Sequence, residues 1–190
     1  MEKEILIDEN TLKERIMQLA EQINNDFKGE KITLICILKG SLYFYADLSR
    51  KIDLDTELEF IRVKSYEGEK STGEIKFLLE LDNPVTDKNV IVVEDIIDTG
   101  YTLSCLLDYL KEQNPKSLKL CTLLDKKDRR ETEVDVDYIG FSIPNHFVIG
   151  YGLDLDQKYR NIPEIECFVE DNEKEEIKQD RERIKKKIWK

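Results

Sequence analysis

The stretch Val90 to Thr102 reads VIVVEDIIDTGYT. It holds three acids, Glu94, Asp95 and Asp98, directly before a small polar turn, Thr99-Gly100-Tyr101-Thr102. An apolar run of strand length precedes it. Leu103, Leu106, Leu107 and Leu110 follow at helical spacing. The order is therefore buried strand, acidic turn, polar turn, helix. The N-terminus of a helix presents unpaired N–H groups and a positive dipole end, both suited to a phosphate. The two threonines add hydroxyl donors, and Gly100 lets the backbone approach closely. The preceding acids repel a phosphate, but they accept from a sugar diol or hold a magnesium ion. Such a loop suits a sugar phosphate. The plainer alternative is a strand end with an aspartate capping the next helix.

These residues need a scaffold. Ile32 to Leu38 is a second apolar run, ending at Lys39-Gly40, with Ser41 placed to cap a helix reaching about Arg50. Leu118 to Leu124 is a third run and ends before Lys126. Thr11-Leu12-Lys13-Glu14 reads as a capping box. Behind it, Leu12, Ile16, Leu19, Ala20, Ile23 and Phe27 recur at helical spacing, and Gly29 suits the stop. Glu57 to Val63 and Ile75 to Leu81 alternate like half-buried strands. The segment Lys64 to Glu74 is rich in charge, Gly, Ser and Thr, and reads as a mobile loop. Tyr138 to Phe141, Phe147 to Tyr151 and Ile165 to Val169 are short strand candidates. Strands alternating with helices predict an α/β fold with a mainly parallel central sheet flanked by helices. In such sheets ligands bind beyond the strand C-termini, where Lys39, Asp98 and Lys126 all fall.

The acidic motif resembles the phosphoribosyl pyrophosphate motif of the type I phosphoribosyltransferases. Leu38-Lys39-Gly40, then Lys64-Ser65-Tyr66 with Ser71-Thr72-Gly73, then the run Ile143 to Arg160 narrow the resemblance to the hypoxanthine-guanine branch. It spans roughly Ile5 to Phe168. The resemblance implies a small hood, built from the N-terminal and 140–169 segments, over the sheet. It implies transfer of a phosphoribosyl group to a 6-oxopurine with Mg²⁺, and a homodimer or homotetramer. In that pattern Glu94 and Asp95 lie at the ribose hydroxyls and a metal. Asp98 is the general base for purine N7. Thr99 to Thr102 cradle the 5′-phosphate, with Tyr101 contributing its N–H. Lys39, Gly40, Ser65, Tyr66 and Arg160 serve the pyrophosphate, with Ser65-Tyr66 on a closing loop. The Lys39-Gly40 turn is in some members preceded by a cis peptide. Lys126 donates to the purine 6-oxo group, Phe147 stacks on the ring, and Val148 offers backbone groups to its edge. Asp154 is expected at the purine and a second magnesium. A xanthine-preferring relative, an adenine enzyme (disfavoured by Lys126) and a nucleic-acid-binding regulator on the same fold are the rivals.

With 190 residues, one domain over 1–169 and a charged helical tail over 170–190 are expected. In the tail, Ile177, Ile184 and Ile188 form a stripe beside Trp189, with Asn172 and Glu175 as a cap. A net charge of −11 argues against a nucleic-acid binder. The absence of a long apolar run argues against a membrane span, and the acidic N-terminus against a signal peptide, so the cytoplasm is expected. Cys36, Cys105, Cys121 and Cys167 form no C-x-x-C pair and read as buried reduced thiols. His146, the single histidine, is read as an exposed loop contact without a catalytic part.

Overall fold

The computed structural model describes residues 2–65, 75–170 and 172–188. In chain order the elements are β1 (Glu2–Ile7), α1 (Glu9–Asp26), β2 (Ile32–Ile37), α2 (Leu42–Ser49), β3 (Thr56–Ser65), β4 (Ile75–Leu79), β5 (Asn89–Ile97), α3 (Tyr101–Glu112), β6 (Ser117–Asp125), β7 (Tyr138–Ser142), β8 (Val148–Ile149), β9 (Ile165–Val169) and α4 (Lys174–Ile188). A 3₁₀ turn covers Lys127–Arg129.

The large sheet has the order β4-β3-β2-β5-β6-β7. Every pairing in it is parallel except β3 with β4. The inner strands are buried on both faces, and their alternate residues divide between two cores. Leu34, Cys36, Ile91, Val93, Cys121 and Leu123 pack toward α1 and α2. Ile35, Ile37, Val90, Val92 and Leu120 pack toward Leu103, Leu106, Leu107 and Leu110 of α3. This explains why β2 and β5 read as continuous apolar runs rather than alternating ones. A small antiparallel sheet, β1-β9-β8, joins the N-terminus to the 148–169 segment as the hood.

Several local expectations change. The cap of α1 is Asp8, three residues before the expected box; its carboxylate accepts from the N–H and hydroxyl of Thr11. An aspartate N-cap with a helical Glu9 behind it outcompetes a threonine already inside the first turn. Ser41 makes no capping bond to α2. The helix after the acidic motif is preceded by Gly100 in the left-handed region, not by a capping aspartate. Lys64 and Ser65, expected to open the mobile loop, extend β3 instead. The proposed closing loop, Tyr66 with Ser71-Thr72-Gly73, lies outside the described residues, as does the side chain of Ser65.

The tail helix is docked. Ile177, Ile184 and Ile188 are buried, and α4 lies along β1. Arg181 and Lys185 reach Asp8 at 3.3 and 2.9 Å. Burial works against the Asp8 carboxylate, yet Lys185 and Thr11 together hold it well below the usual range. The turn before α4 is closed by Glu173, whose carboxylate accepts from the Glu170 N–H, rather than by Asn172 with Glu175. Trp189 lies outside the described residues. All four cysteines are free. Burial pushes the thiols of Cys36 and Cys167 up to about 12, so they stay protonated. Among the described residues no helix is long and apolar enough to cross a membrane.

Candidate active site

The C-terminal ends of β2, β5 and β6 open into one cleft, closed on the hood side by residues 150–160. The parallel order β2-β5-β6 is what sets Lys39, Glu94 to Asp98 and Lys126 side by side. The β2 end turns sharply through a cis Leu38–Lys39 peptide. Gly40 then packs against Asp95 so closely that a methyl group there would overlap the carboxylate. Gly152, at φ +104°, sits on the Gly40 carbonyl and has no room for a Cβ either. Three distant positions thus meet backbone to backbone or backbone to carboxylate.

Glu94 and Asp95 are half-buried at the end of β5. The Ser41 hydroxyl, freed from any capping role, donates to Glu94 Oε2 at 3.0 Å. The Ile96 N–H donates to Asp95 Oδ1 at 2.7 Å. Burial raises both carboxyls. Glu94 goes well above its ordinary range, with the Asp95 charge adding to the effect, and Asp95 is pushed up to about 6. Two neighbouring carboxylates out of water resist double ionisation unless a cation stands between them. Hard oxygen donors with that need fit Mg²⁺.

The phosphate end follows. Gly100 has φ +88°, and a Cβ there would stand 2.6 Å from the Thr132 carbonyl. The Thr99 carbonyl is fixed by the N–H groups of Glu131 and Thr132, both at 3.0 Å. No side chain caps α3, and its first bonded amide is Ser104, to Gly100. The N–H groups of Tyr101, Thr102 and Leu103 are therefore left for an anion. The hydroxyls of Thr99 and Thr102 have no hydrogen-bond partner among the described residues, and both side chains are half-buried.

Asp98 stands between two cations. Arg129 donates Nε–H to Asp98 Oδ1 at 3.1 Å, and the other oxygen has no partner among the described residues. Lys126 is buried at 7% exposure. Burial lowers its pKa, Asp98 works in the opposite sense, and its ammonium makes no hydrogen bond among the described residues. The Lys126 N–H is tied to the Ile97 carbonyl at 3.1 Å, and a buried ion pair between Asp125 and Arg130 anchors the turn beneath it. The signal for Arg129 was only a basic cluster after Lys126; its position on Asp98 comes from the 3₁₀ turn.

Opposite the base, Arg160 is paired with Asp154 at 2.7 Å and donates Nη1–H to the Gly152 carbonyl at 2.6 Å. Asp154 Oδ2 also accepts from the Gln157 N–H at 2.8 Å. Lys39 is exposed and donates to Gln157 Oε1 at 3.2 Å. Both oxygens of Asp154 are therefore engaged, so it fits a metal only once Arg160 turns away. Gln157 carries no motif signal, and sequence reasoning passed it over. It stays exposed, and it meets Lys39 and Asp154 because the chain turns back through the positive-φ residues Asp156, Gln157 and Tyr159.

Phe147 precedes β8 rather than opening it, and its ring is 54% exposed. Phe168 lies 6.3 Å from it, centroid to centroid, on β9. Val148 is buried and pairs with Cys167, which lies close enough to Lys126 to feel its charge. The aromatic surface and the buried ammonium so share one end of the cleft. His146 is a correction. Its ring is largely buried and donates Nε2–H to Asp180 of α4 at 2.9 Å, because the docked tail covers that face of the loop.

Comparison with known proteins gives one answer at several levels. The phosphoribosyl transferase domain family matches residues 3–156. The hypoxanthine phosphoribosyltransferase of Buchnera aphidicola subsp. Schizaphis graminum is 47% identical over 164 residues, 85% of this chain and 93% of that protein. That of Escherichia coli strain K12 is 46% identical over 165 residues, with the same coverage. The crystal structure of a hypoxanthine-guanine phosphoribosyltransferase from Bacillus anthracis superposes with a TM-score of 0.84 at 48% identity. It covers 87% of this chain and 98% of that one.

Proposed function

The chain belongs to the phosphoribosyl transferase domain family, and from that premise we infer that it is a purine-salvage enzyme. It is a pentosyltransferase that moves the 5-phosphoribosyl group from phosphoribosyl pyrophosphate to hypoxanthine or guanine, giving IMP or GMP and pyrophosphate. The single observation that carries the base preference is Lys126, a buried ammonium with no acceptor among the described residues, beside an exposed aromatic ring. It asks for a carbonyl oxygen. A 6-oxo group supplies one, whereas a 6-amino group would set donor against donor.

The proposed roles follow the cleft from end to end. Tyr101, Thr102 and Leu103 amides with the Thr99 and Thr102 hydroxyls hold the 5′-phosphate, and Gly100 permits the approach. Glu94 and Asp95 take the ribose diol. Asp98, through the oxygen that Arg129 leaves open, accepts the N7 proton as the base attacks C1. Lys39, the Gly40 backbone and Arg160 receive the pyrophosphate, with Ser65 and Tyr66 closing over it. Phe147 stacks on the purine and Val148 meets its edge. Glu94 and Asp95 would hold one Mg²⁺ and Asp154 a second. When bound, the metal neutralises pyrophosphate charge and so eases its departure. Arg160 exchanges Asp154 for pyrophosphate oxygens, which its planar fork matches. We further read the enzyme as a cytoplasmic homodimer or homotetramer, with 170–190 as an appended helix. Exposed Leu42, Tyr43, Leu58 and Phe60 are residues an oligomer would cover.

The direct test is pyrophosphate release from phosphoribosyl pyrophosphate and Mg²⁺ with each base in turn. Hypoxanthine and guanine should be turned over and adenine should not. Release with adenine alone, or with no base at all, overturns the reading.

A second expectation concerns the paired carboxyls. Their folded-state values lie above the unfolded ones, so the native chain holds extra protons; for Asp95 the window runs from about pH 4 to about pH 6, and Glu94 is shifted in the same direction. The stability they contribute is greatest below that window and falls as pH rises through it. Mg²⁺ binds only the ionised pair and must displace those protons. Millimolar Mg²⁺ should therefore raise Tm at pH 8 and lose that effect at pH 5. Equal shifts at both pH values would show that Glu94 and Asp95 are not the ligands.

A further inference from the structure

The histidine and the tail are two features that the proposed reaction leaves unused, and they touch each other. The turn Ile143 to Phe147 carries the exposed purine-facing ring at its end. Its front is held by the Ile143 N–H to the Asp125 carbonyl at 3.0 Å, and its bend by the His146 N–H to the Pro144 carbonyl at 2.8 Å. Behind it, β8 begins at Val148. Among the described residues, one side-chain hydrogen bond leaves this turn, from His146 to Asp180. The two side chains are 19% and 6% exposed, so the bond is shielded from water and counts for more than a surface pair.

Asp180 is itself well placed to hold. It sits on the buried face of α4, with Arg183 donating to its other oxygen at 3.2 Å. Glu176, one turn earlier, has an oxygen within 4.8 Å of both groups. Arg183 already gives Asp180 a cation, so the contact that counts here is the hydrogen bond to His146. The helix is fixed independently by its buried isoleucines, by Asp8, and by Gln18, which donates to the Ile188 carbonyl at 3.1 Å. It is a rigid post. Phe147, by contrast, is half-exposed and meets Phe168 only at 6.3 Å. Among the described residues, the bond to Asp180 is the one side-chain hydrogen bond that holds His146.

We propose that His146, held by Asp180 of the C-terminal helix, is a positioning residue that sets the Phe147 turn for the incoming purine. This rests on the function proposed above and assigns the tail a part in it. The contact lies at the purine end of the cleft, away from the phosphate and pyrophosphate groups. Loss of it should weaken purine capture and leave the sugar substrate untouched.

The test is steady-state kinetics on the full chain with Mg²⁺, varying hypoxanthine and phosphoribosyl pyrophosphate separately. His146→Ala should raise the KM for hypoxanthine roughly five- to tenfold, the loss expected for one hydrogen bond of ordinary net strength. The KM for phosphoribosyl pyrophosphate and kcat should stay within about twofold, since neither depends on the purine turn. Asp180→Asn keeps an acceptor oxygen toward the imidazole and should retain near-native kinetics even if Asp180→Ala unfolds. The double variant His146→Ala/Asp180→Asn should be no worse than His146→Ala alone. An unchanged KM for hypoxanthine overturns the inference. So does a parallel rise for both substrates, which would mark a general loosening of the fold, or a double variant clearly worse than His146→Ala alone. A wild-type chain without turnover on any purine would instead overturn the proposed function, and this inference with it.

Discussion

Asp98→Asn retains nucleotide binding and loses turnover by about 10²–10⁴-fold, the usual contribution of a positioned general base. The amide keeps the size of the side chain and an oxygen for the Arg129 Nε–H, now at 3.1 Å from Asp98 Oδ1. It cannot accept the N7 proton. The Arg129 pair is half-exposed on both sides, so its loss would cost stability little, and Tm should move by no more than about 2 °C. The measurement is kcat with hypoxanthine beside the Kd for IMP. A kcat within threefold of wild type removes Asp98 from the role. An equal loss in Kd would make it a binding group instead.

Gly152→Ala should abolish most activity although it replaces no residue of the acidic motif. At φ +104° an alanine costs about 1–2 kcal/mol in backbone strain. The larger effect is steric, because the methyl group would enter the Gly40 carbonyl. Neither side can yield easily. The Gly152 N–H is bound to the Arg160 carbonyl at 2.9 Å and its own carbonyl to Arg160 Nη1 at 2.6 Å. Gly40 is in turn pressed against Asp95. Relief therefore displaces the Lys39-Gly40 turn, Asp95 or Arg160, all proposed at the pyrophosphate and ribose. A displacement near 1 Å costs about 10²-fold, and kcat/KM for phosphoribosyl pyrophosphate should fall by at least that order. Gly29→Ala is the control. It has φ +80° but open space around the new methyl, so it bears the strain alone and should keep full activity. A Gly152→Ala enzyme within threefold of wild type would show that the contact is dispensable.

These two variants differ in how far the sequence foretold them. Asp98 stands in a motif whose meaning is local: a strand ends, acids follow, a helix begins, all within a dozen residues. Gly152 was one glycine in a Gly-Tyr-Gly run, and no local pattern says what its missing Cβ makes room for. The same division runs through the rest of the site. Lys126 was legible as a residue past a strand end, but its burial and its lack of an acceptor among the described residues were not. Phe147 read as a strand residue and stands exposed before a two-residue strand. Ser41 read as a helix cap and serves Glu94. The resemblance gives Arg160 to the pyrophosphate and Asp154 to the purine and a second magnesium, and the structure pairs them with each other.

By itself the sequence determined the alternation of strands and helices, the two-faced burial of the inner strands and the tight turn before α3. These rest on periodicity and backbone chemistry acting over one turn or one strand, where neighbours in sequence are neighbours in space. Tertiary structure alone decided that positions 40, 95 and 152 converge, that Arg129 lies on Asp98, and that the tail reaches His146. Those contacts depend on which strands lie side by side and how the 150–160 segment folds back. That choice is made by the collective packing of two cores, not by any residue's own preference.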